Sequence, residues 1–279
     1  MDQSQRIFRR RDINLVLGDF MENLESFVDR KADTCITDPP YNISGYDDKK
    51  KIGWLNSNSY WTEIKNFDVI NEKWDSFSDA EYQVFTYNWL KAITSVVKEN
   101  GNILIFGTYH NIFTIGKALQ DLNKKIGSLI VWYKRNAFPN ITQRGLCESA
   151  EFIIWAINNN KKNAHNWYFD YKTLKKINKG KQMRNVWDIP YIFNKEETKF
   201  GKHPAQKPLS IIDRLVLGFS QENSLVVDPF FGSGTTAVSC TNNKRRFWGT
   251  ELSEKYFKIA QKRVSAAYLN SRKVNEDID

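Results

Sequence analysis

The 279-residue chain has three cysteines, Cys35, Cys147 and Cys240, set far apart and without a CxxC pair. That scarcity argues against a disulfide or zinc framework and fits a reducing compartment. Histidines are as few, and His110 and His165 lack partners at metal spacing, so no metal is expected. No stretch approaches the roughly 20 consecutive apolar residues of a membrane helix. The opening Met1-Asp2-Gln3-Ser4-Gln5 lacks the apolar core of a signal peptide, and a cytoplasmic location is expected. The GxxxxGK[ST] lysine of a P-loop is missing, and no internal repeat is visible.

What is present is 41% hydrophobic and 14% aromatic residues, ample for a buried core, and a net charge of +9. The charge is concentrated. Between Asn158 and Lys207 there are 12 Lys and Arg against 4 Asp and Glu, a surplus of +8, interleaved with Trp167, Tyr168, Phe169, Tyr171 and Trp187. Such a pattern suits a polyanion, because cationic side chains displace counterions condensed on phosphates. It is equally the pattern of a solvated lysine-rich loop. Trp167, Tyr168 and Phe169 suit base stacking or simple packing alike.

Along the chain, short apolar runs alternate with helical periods. Strands are expected at Asn14–Asp19, Asp33–Asp38, Asn102–Gly107, Ser128–Tyr133, Glu151–Ile157, Ser224–Asp228 and Arg246–Glu251. Helices are expected from Asp19 to Asp29, from the Ser78/Glu81 capping box to Asn100-Gly101, over Asn111–Leu122, after Pro208 to Phe219, from Thr235, and over Glu254–Tyr268. The connection 42–77 is too long for a structural turn. The segment 158–207 has no clear period, and the polar tail 271–279 should fray. Alternating strands and helices imply a doubly wound, mostly parallel α/β sheet whose ligands bind beyond the carboxyl ends of the strands. Asp19, Asp38, Asp228 and Glu251 all fall at such ends.

Two motifs are candidates for chemistry, although the first also reads as a plain strand–helix turn and the second as a structural Pro-Pro turn after a strand. Asp228-Pro229-Phe230-Phe231-Gly232-Ser233-Gly234-Thr235-Thr236 ends a strand in an acid and opens a helix through a Gly-x-Gly turn. Glycines let the backbone approach a ligand, and a helix N-terminus offers N–H groups to an anion. Glu251 ends the next strand, where an acid accepts ribose hydroxyls in dinucleotide folds. The second motif is Asp38-Pro39-Pro40-Tyr41. The exocyclic amine of a nucleobase is a poor nucleophile because its lone pair is delocalised into the ring. A carboxylate and a backbone carbonyl that accept its two hydrogens shift that lone pair toward an incoming methyl group. A tyrosine stacks on an extruded base.

With Asp38-Pro39-Pro40-Tyr41 first in the chain, the basic segment next and the Asp228–Thr236 motif last, the sequence resembles the beta group of S-adenosylmethionine-dependent DNA amino-methyltransferases. His203-Pro204-Ala205-Gln206-Lys207-Pro208 is similar to that family's HPxxKP element. Phe247-Trp248-Gly249-Thr250-Glu251-Leu252, with Tyr256 and Ala260-Gln261-Lys262-Arg263, is similar to its FxGxE…Y…AxxR segment. Trp74-Asp75-Ser76-Phe77 and Trp132-Tyr133-Lys134-Arg135-Asn136 resemble stretches of MboII-type adenine enzymes. The likeness covers about residues 13–157 and 201–268, whereas 158–200 matches nothing in the family.

The resemblance implies a Rossmann-like methyltransferase fold with permuted motif order. Residues 1–157 would be its catalytic half, 158–200 an inserted target-recognition lobe, 201–270 its cofactor half and 271–279 a tail. Asp38 and the Pro39 carbonyl would hold the target amine, Pro40 completing the turn and Tyr41 stacking on the base. Asp228, Phe230, Gly232, Ser233, Gly234, Thr235 and Thr236 would cradle the methionine part of S-adenosylmethionine. Glu251, followed by Leu252, would hold the ribose, and Asp19 the cofactor's adenine amine, with His203 and Lys207 near its carboxylate. Lys134, Arg135 and Arg144 would contact DNA, although Gln143-Arg144-Gly145 departs from the paired arginines of many relatives. The charge surplus itself, densest at Lys175, Lys176, Lys179 and Lys181, adds those four as DNA contacts.

The implied reaction is methylation of adenine N6 in double-stranded DNA, with a homodimer and a separately encoded restriction enzyme as expected partners. The alternatives are cytosine N4, RNA or protein-amide methylation, and an inactive DNA-binding specificity protein.

Overall fold

Consecutive residues of each central strand belong to opposite faces of one sheet, and that alternation builds the molecule. The computed structural model describes residues 6–27, 31–42, 77–140, 143–192 and 195–276, except the side chains of 26 and 272–276. Among these, nine strands form a single sheet: β1 (Ile7–Arg10), β2 (Ile13–Leu17), β3 (Ala32–Thr37), β4 (Val97–Gly107), β5 (Lys125–Tyr133), β6 (Ala150–Ile157), β7 (Val186–Asp188), β8 (Leu225–Asp228) and β9 (Arg246–Glu251). Their spatial order is β1-β2-β9-β8-β3-β4-β6-β5-β7. The five strands from β2 to β4 run parallel, as expected. β6 runs against both β4 and β5, and β1 runs against β2.

Leu15, Ile36, Leu104, Val226 and Phe247 face one core, and their neighbours Val16, Cys35, Ile103, Val227 and Trp248 face the other. The first core is covered by α5 (Leu209–Phe219), α6 (Thr235–Asn242) and α7 (Glu254–Glu276). The second lies under α1 (Asp79–Val96) and α2 (Ile112–Asp121). Burying each such side chain is worth about 1.5–3 kcal/mol. No helix among the described residues is long and apolar enough to cross a membrane.

Four local expectations are corrected. The stretch after Asp19 forms only a 3-10 turn at Leu24–Ser26 among its described residues, the end of the expected helix (28–30) lying outside them. Asp19 Oδ1 accepts the Met21 N–H (2.7 Å) and the Glu22 N–H (3.3 Å), while Phe20 and Phe27 turn onto Trp248. Side-chain capture of backbone competes with helix there. Ser78 and Glu81 do form the capping box that starts α1. The helix stops at Val96, before Asn100-Gly101, because Val97 joins β3 opposite Ala32 and Asn158 donates to the Thr94, Val97 and Lys98 carbonyls. α7 continues past Tyr268 to Glu276, since no glycine or proline interrupts it.

The fourth correction concerns the basic segment, which is structured by elements too short to show a period: α3 (Tyr171–Ile177), β7 and α4 (Lys195–Thr198). β7 pairs with β5, and Leu174, Trp187 and Ile189 enter the first core. Trp167 and Phe169 pack on Trp155, and Phe169 also on Phe219. The long connection lies, from 43 to 76, outside the described residues.

Candidate functional site

The parallel strands deliver Gly18-Asp19, Asp38, Asp228 and Glu251 to one edge of the sheet, around a cavity of about 350 Å³. Phe20, Phe85 and Phe230 form apolar walls, and His203, Lys207 and the turn from Phe231 to Ser233 close another side.

At the β8 end, Asp228 is buried to 2% exposure and spends its carboxylate on the protein. Oδ1 accepts from the Thr37 hydroxyl (2.7 Å) and the Phe230 N–H (3.1 Å), and Oδ2 accepts from the Thr236 hydroxyl (2.9 Å). Burial pushes its pKa up to about 7, with those hydrogen bonds pulling back. Asp228 thus fastens the glycine turn to β3 and α6. Gly234, the N-cap of α6, sits at φ 79°, and a Cβ there would lie 2.7 Å from Ala260 Cβ on α7.

Arg263 braces the turn from behind, donating to the Ser233 carbonyl (2.9 Å), the Ser233 hydroxyl (2.8 Å) and the Thr235 hydroxyl (3.0 Å). Burial lowers its pKa to about 10. The Ser233 hydroxyl in turn donates to Gln206. Arg263 and Gln206 stood in recognised motifs, but no strand-end rule singles them out.

Glu251 Oε2 accepts the Gly232 N–H at 2.9 Å and Oε1 the Ser253 N–H at 2.7 Å, which fixes its carboxylate at the cavity beside Leu252. His203 packs edge-on against Tyr256, and its Nδ1 accepts the Ala205 N–H at 3.2 Å, so Nε2 carries the proton. That nitrogen faces Gly232, where an added Cβ would meet it at 3.2 Å. Burial, with Lys207, Lys255 and Arg263 nearby, lowers the ring's pKa to about 3 and keeps it neutral.

At the β3 end, the Tyr82 hydroxyl donates to the Pro40 carbonyl (2.7 Å) and holds the Asp38-Pro39-Pro40-Tyr41 turn against α1. The Tyr41 hydroxyl donates to Asp38 Oδ1 at 2.5 Å. Lys207, expected near the cofactor's carboxylate, lines the cavity and places Nζ 2.6 Å from Asp38 Oδ2. Lys134, expected on DNA, pairs with Glu151 at 2.9 Å and is only 14% exposed.

Glu151 escaped the sequence reading. It is the second residue of β6, and because β6 runs antiparallel, its amino end shares the edge with the carboxyl ends of β4 and β5. The available signal was the lack of a helical period between the two expected strands, since a helix is the usual crossover between parallel neighbours.

The other basic candidates are exposed. Arg135 pairs with Asp188 (2.8 Å) at the site edge, and Arg144 lies in the loop joining β5 to β6. Lys175, Lys176, Lys179 and Lys181 lie on and after α3. That helix is anchored at the opposite edge, where the Asp170 N–H meets the Gly218 carbonyl and Asn102 bridges Tyr168 and Phe219. They do not converge on the cavity.

The DNA methylase profile of the N6/N4 methyltransferases matches residues 32–262. The type II methyltransferase M2.LlaDCHI of Lactococcus lactis subsp. cremoris is 36% identical over 259 residues, covering 92% of this chain and 91% of that protein. M2.DpnII of Streptococcus pneumoniae is 35% identical over 260 residues, covering 93% and 92%. Among solved structures, the M1.HpyAVI–SAM complex aligns at a TM-score of 0.64 with 27% identity, covering 90% of this chain and 98% of that one. The cytosine-N4-specific PvuII DNA methyltransferase aligns at 0.65 with 16% identity over 92% of each chain, a likeness of fold. Motif order, sheet edge and relatives over nine-tenths of the length agree: the chain belongs to the N6/N4 family of DNA methylases.

Proposed function

We propose that this methylase transfers the methyl group of S-adenosylmethionine to the N6 amine of an adenine extruded from double-stranded DNA. The observation that carries the reading is Asp38, a carboxylate fixed by Tyr41 and Lys207 on the rim of the cavity that holds Glu251 and the glycine turn. The residues present fit the cofactor. A glycine turn at the start of α6, a neutral imidazole donor and two acids, Asp19 and Glu251, surround a largely apolar cavity of adequate size.

Glu251 accepts the ribose hydroxyls, Asp19 takes the adenine amine, and the turn Gly232-Ser233-Gly234-Thr235 with His203 receives the carboxylate. Thr236 and Asp228 act by holding that turn, and Phe230 and Leu252 are apolar neighbours. When bound, S-adenosylmethionine supplies a methyl group activated by its positive sulfur. Asp38 accepts one hydrogen of the target amine and the Pro39 carbonyl the other, which turns the nitrogen lone pair toward the cavity. The ring of Tyr41 packs on the extruded base.

Phosphate contacts come from Arg135, Arg144, Lys175, Lys176, Lys179 and Lys181, which position the duplex, while base edges are read elsewhere in 158–200. A homodimer and a restriction enzyme encoded separately belong to the same reading. Nucleoside mass analysis of DNA treated with the enzyme and labelled S-adenosylmethionine tests it. Labelled N6-methyladenine is expected, and N4-methylcytosine alone would move the substrate to cytosine.

A further inference from the structure

The carboxylate that holds the amine belongs to a larger buried set of charges. Lys207 Nζ lies 2.6 Å from Asp38 Oδ2 and 3.4 Å from Glu151 Oε2, and Lys134 Nζ lies 2.9 Å from Glu151 Oε1. Side-chain exposure is 6% for Lys207, 11% for Glu151, 14% for Lys134 and 20% for Asp38. The Tyr41 hydroxyl bridges the acids, donating to Asp38 and lying 3.4 Å from Glu151 Oε2.

Two acids and two lysines cancel. The cancellation matters because removing one member of a buried ion pair leaves a charge that the site cannot solvate. We propose that Lys207, held in place by Glu151 and Lys134, is a positioning residue that keeps Asp38 ionised, so that both its oxygens remain acceptors for the target amine. This deepens the amine-methylation reading above and rests on it.

Three observations support the assignment. The first is geometric: Glu151 stands opposite Trp132, at the closed end of the β5–β6 ladder, and Lys134 immediately follows β5. Their ion pair is therefore built on a rigid sheet edge, and Lys207 is drawn between two acids and not onto Asp38 alone. The Lys207 ammonium also lies 5.1 Å from the Tyr41 ring centroid and 5.4 Å from that of Phe106, which fixes its approach.

The second is chemical. A protonated Asp38 would present an O–H donor to an amine that needs acceptors, so the ionised form is the useful one. The third is electrostatic. Burial raises the pKa of Asp38, and Lys207 and Tyr41 pull it back. Burial would likewise raise Glu151, but Lys207 and Lys134 override it and leave its pKa below the ordinary value. The remaining groups facing the set are Tyr82 beside Tyr41, Tyr191 beside Lys207, Asp228 at the end of β8 and the neutral His203.

The test is the pH dependence of single-turnover methyl transfer to DNA, with a cofactor titration on each variant as the check of folding. Removing an opposite charge from beside a carboxylate raises its pKa by about 1–3 units, so Lys207→Met should move the acid limb of the rate profile to higher pH by that amount. Glu151→Gln alone should not move it upward. Combined with Lys207→Met, it restores neutrality and should bring the limb at least halfway back. Lys134→Met, which removes one positive charge without touching Asp38, should shift the limb the same way by a smaller step, and decides the matter if Lys207→Met fails to bind cofactor. A purely structural role would lower the rates without this order of shifts. An acid limb unmoved in both lysine variants, or a double variant no different from Lys207→Met, overturns the proposal while leaving the amine reading intact. A wild-type enzyme that transfers no methyl to DNA amines overturns both.

Discussion

Replacing Gly234 by alanine should be one of the costliest single-methyl changes in this protein, and the structure gives the size. Gly234 sits at φ 79°, where an L-residue costs about 1–2 kcal/mol. The added Cβ would also stand 2.7 Å from Ala260 Cβ and 3.2 Å from its Cα, an overlap with the backbone of α7 that flexible side chains cannot relieve. Overpacking of that kind costs about 1–3 kcal/mol, so Gly234→Ala should lose about 2–5 kcal/mol of stability in all. Gly180 is the control, because its φ is 80° but no atom lies within 4 Å of the Cβ position. Gly180→Ala should therefore lose only the backbone share, about 1–2 kcal/mol. Urea denaturation followed by tryptophan fluorescence measures both. Ala260→Gly added to Gly234→Ala should recover part of the loss, making the pair less costly than the sum of its singles. Equal costs for Gly234→Ala and Gly180→Ala would refute the claim that α7 locks the turn.

Replacing Lys175, Lys176, Lys179 and Lys181 by alanine should weaken binding to any DNA sequence and reduce the log–log salt slope, by about 1 for each lysine that meets a phosphate. Cofactor affinity should be unchanged, and an unaltered slope in fluorescence anisotropy would remove α3 from the DNA surface. His203 gives a pH signature. In the folded protein its pKa is about 3 against an ordinary 6.5, so the unfolded chain takes up the proton first. Stability should fall as pH drops from 6.5 toward 3, by up to about 1.4 kcal/mol per pH unit. His203→Gln should flatten that slope in denaturation curves taken at several pH values.

Most of the sheet was readable because its strands are continuous apolar runs ending in acids or glycines. The reading failed where local chemistry competes with periodicity. Asp19 captures backbone N–H groups and turns an expected helix into a 3-10 turn, and Asn158 terminates α1 through the Val97 carbonyl, 61 residues away. β7 has three residues and gains its place only from β5, which no sequence period encodes. At the site, the rule that ligands gather at strand carboxyl ends found Asp19, Asp38, Asp228 and Glu251. The same rule passed over Glu151, since an antiparallel strand brings its amino end to that edge. Lys207 was recognised by its motif and does line the cavity, but its ion pair with Asp38, 169 residues away in sequence, is a tertiary contact that no spacing encodes.

The central claim is that the edge is divided, with the cofactor at β8 and β9 and the amine at β3. Calorimetric cofactor binding and methyl transfer, measured side by side on Glu251→Ala and Asp38→Ala, test it most directly. Glu251→Ala should weaken cofactor binding, whereas Asp38→Ala should bind cofactor nearly as well as the wild type and transfer no methyl group. Loss of cofactor binding in Asp38→Ala, together with full activity in Glu251→Ala, would contradict the division.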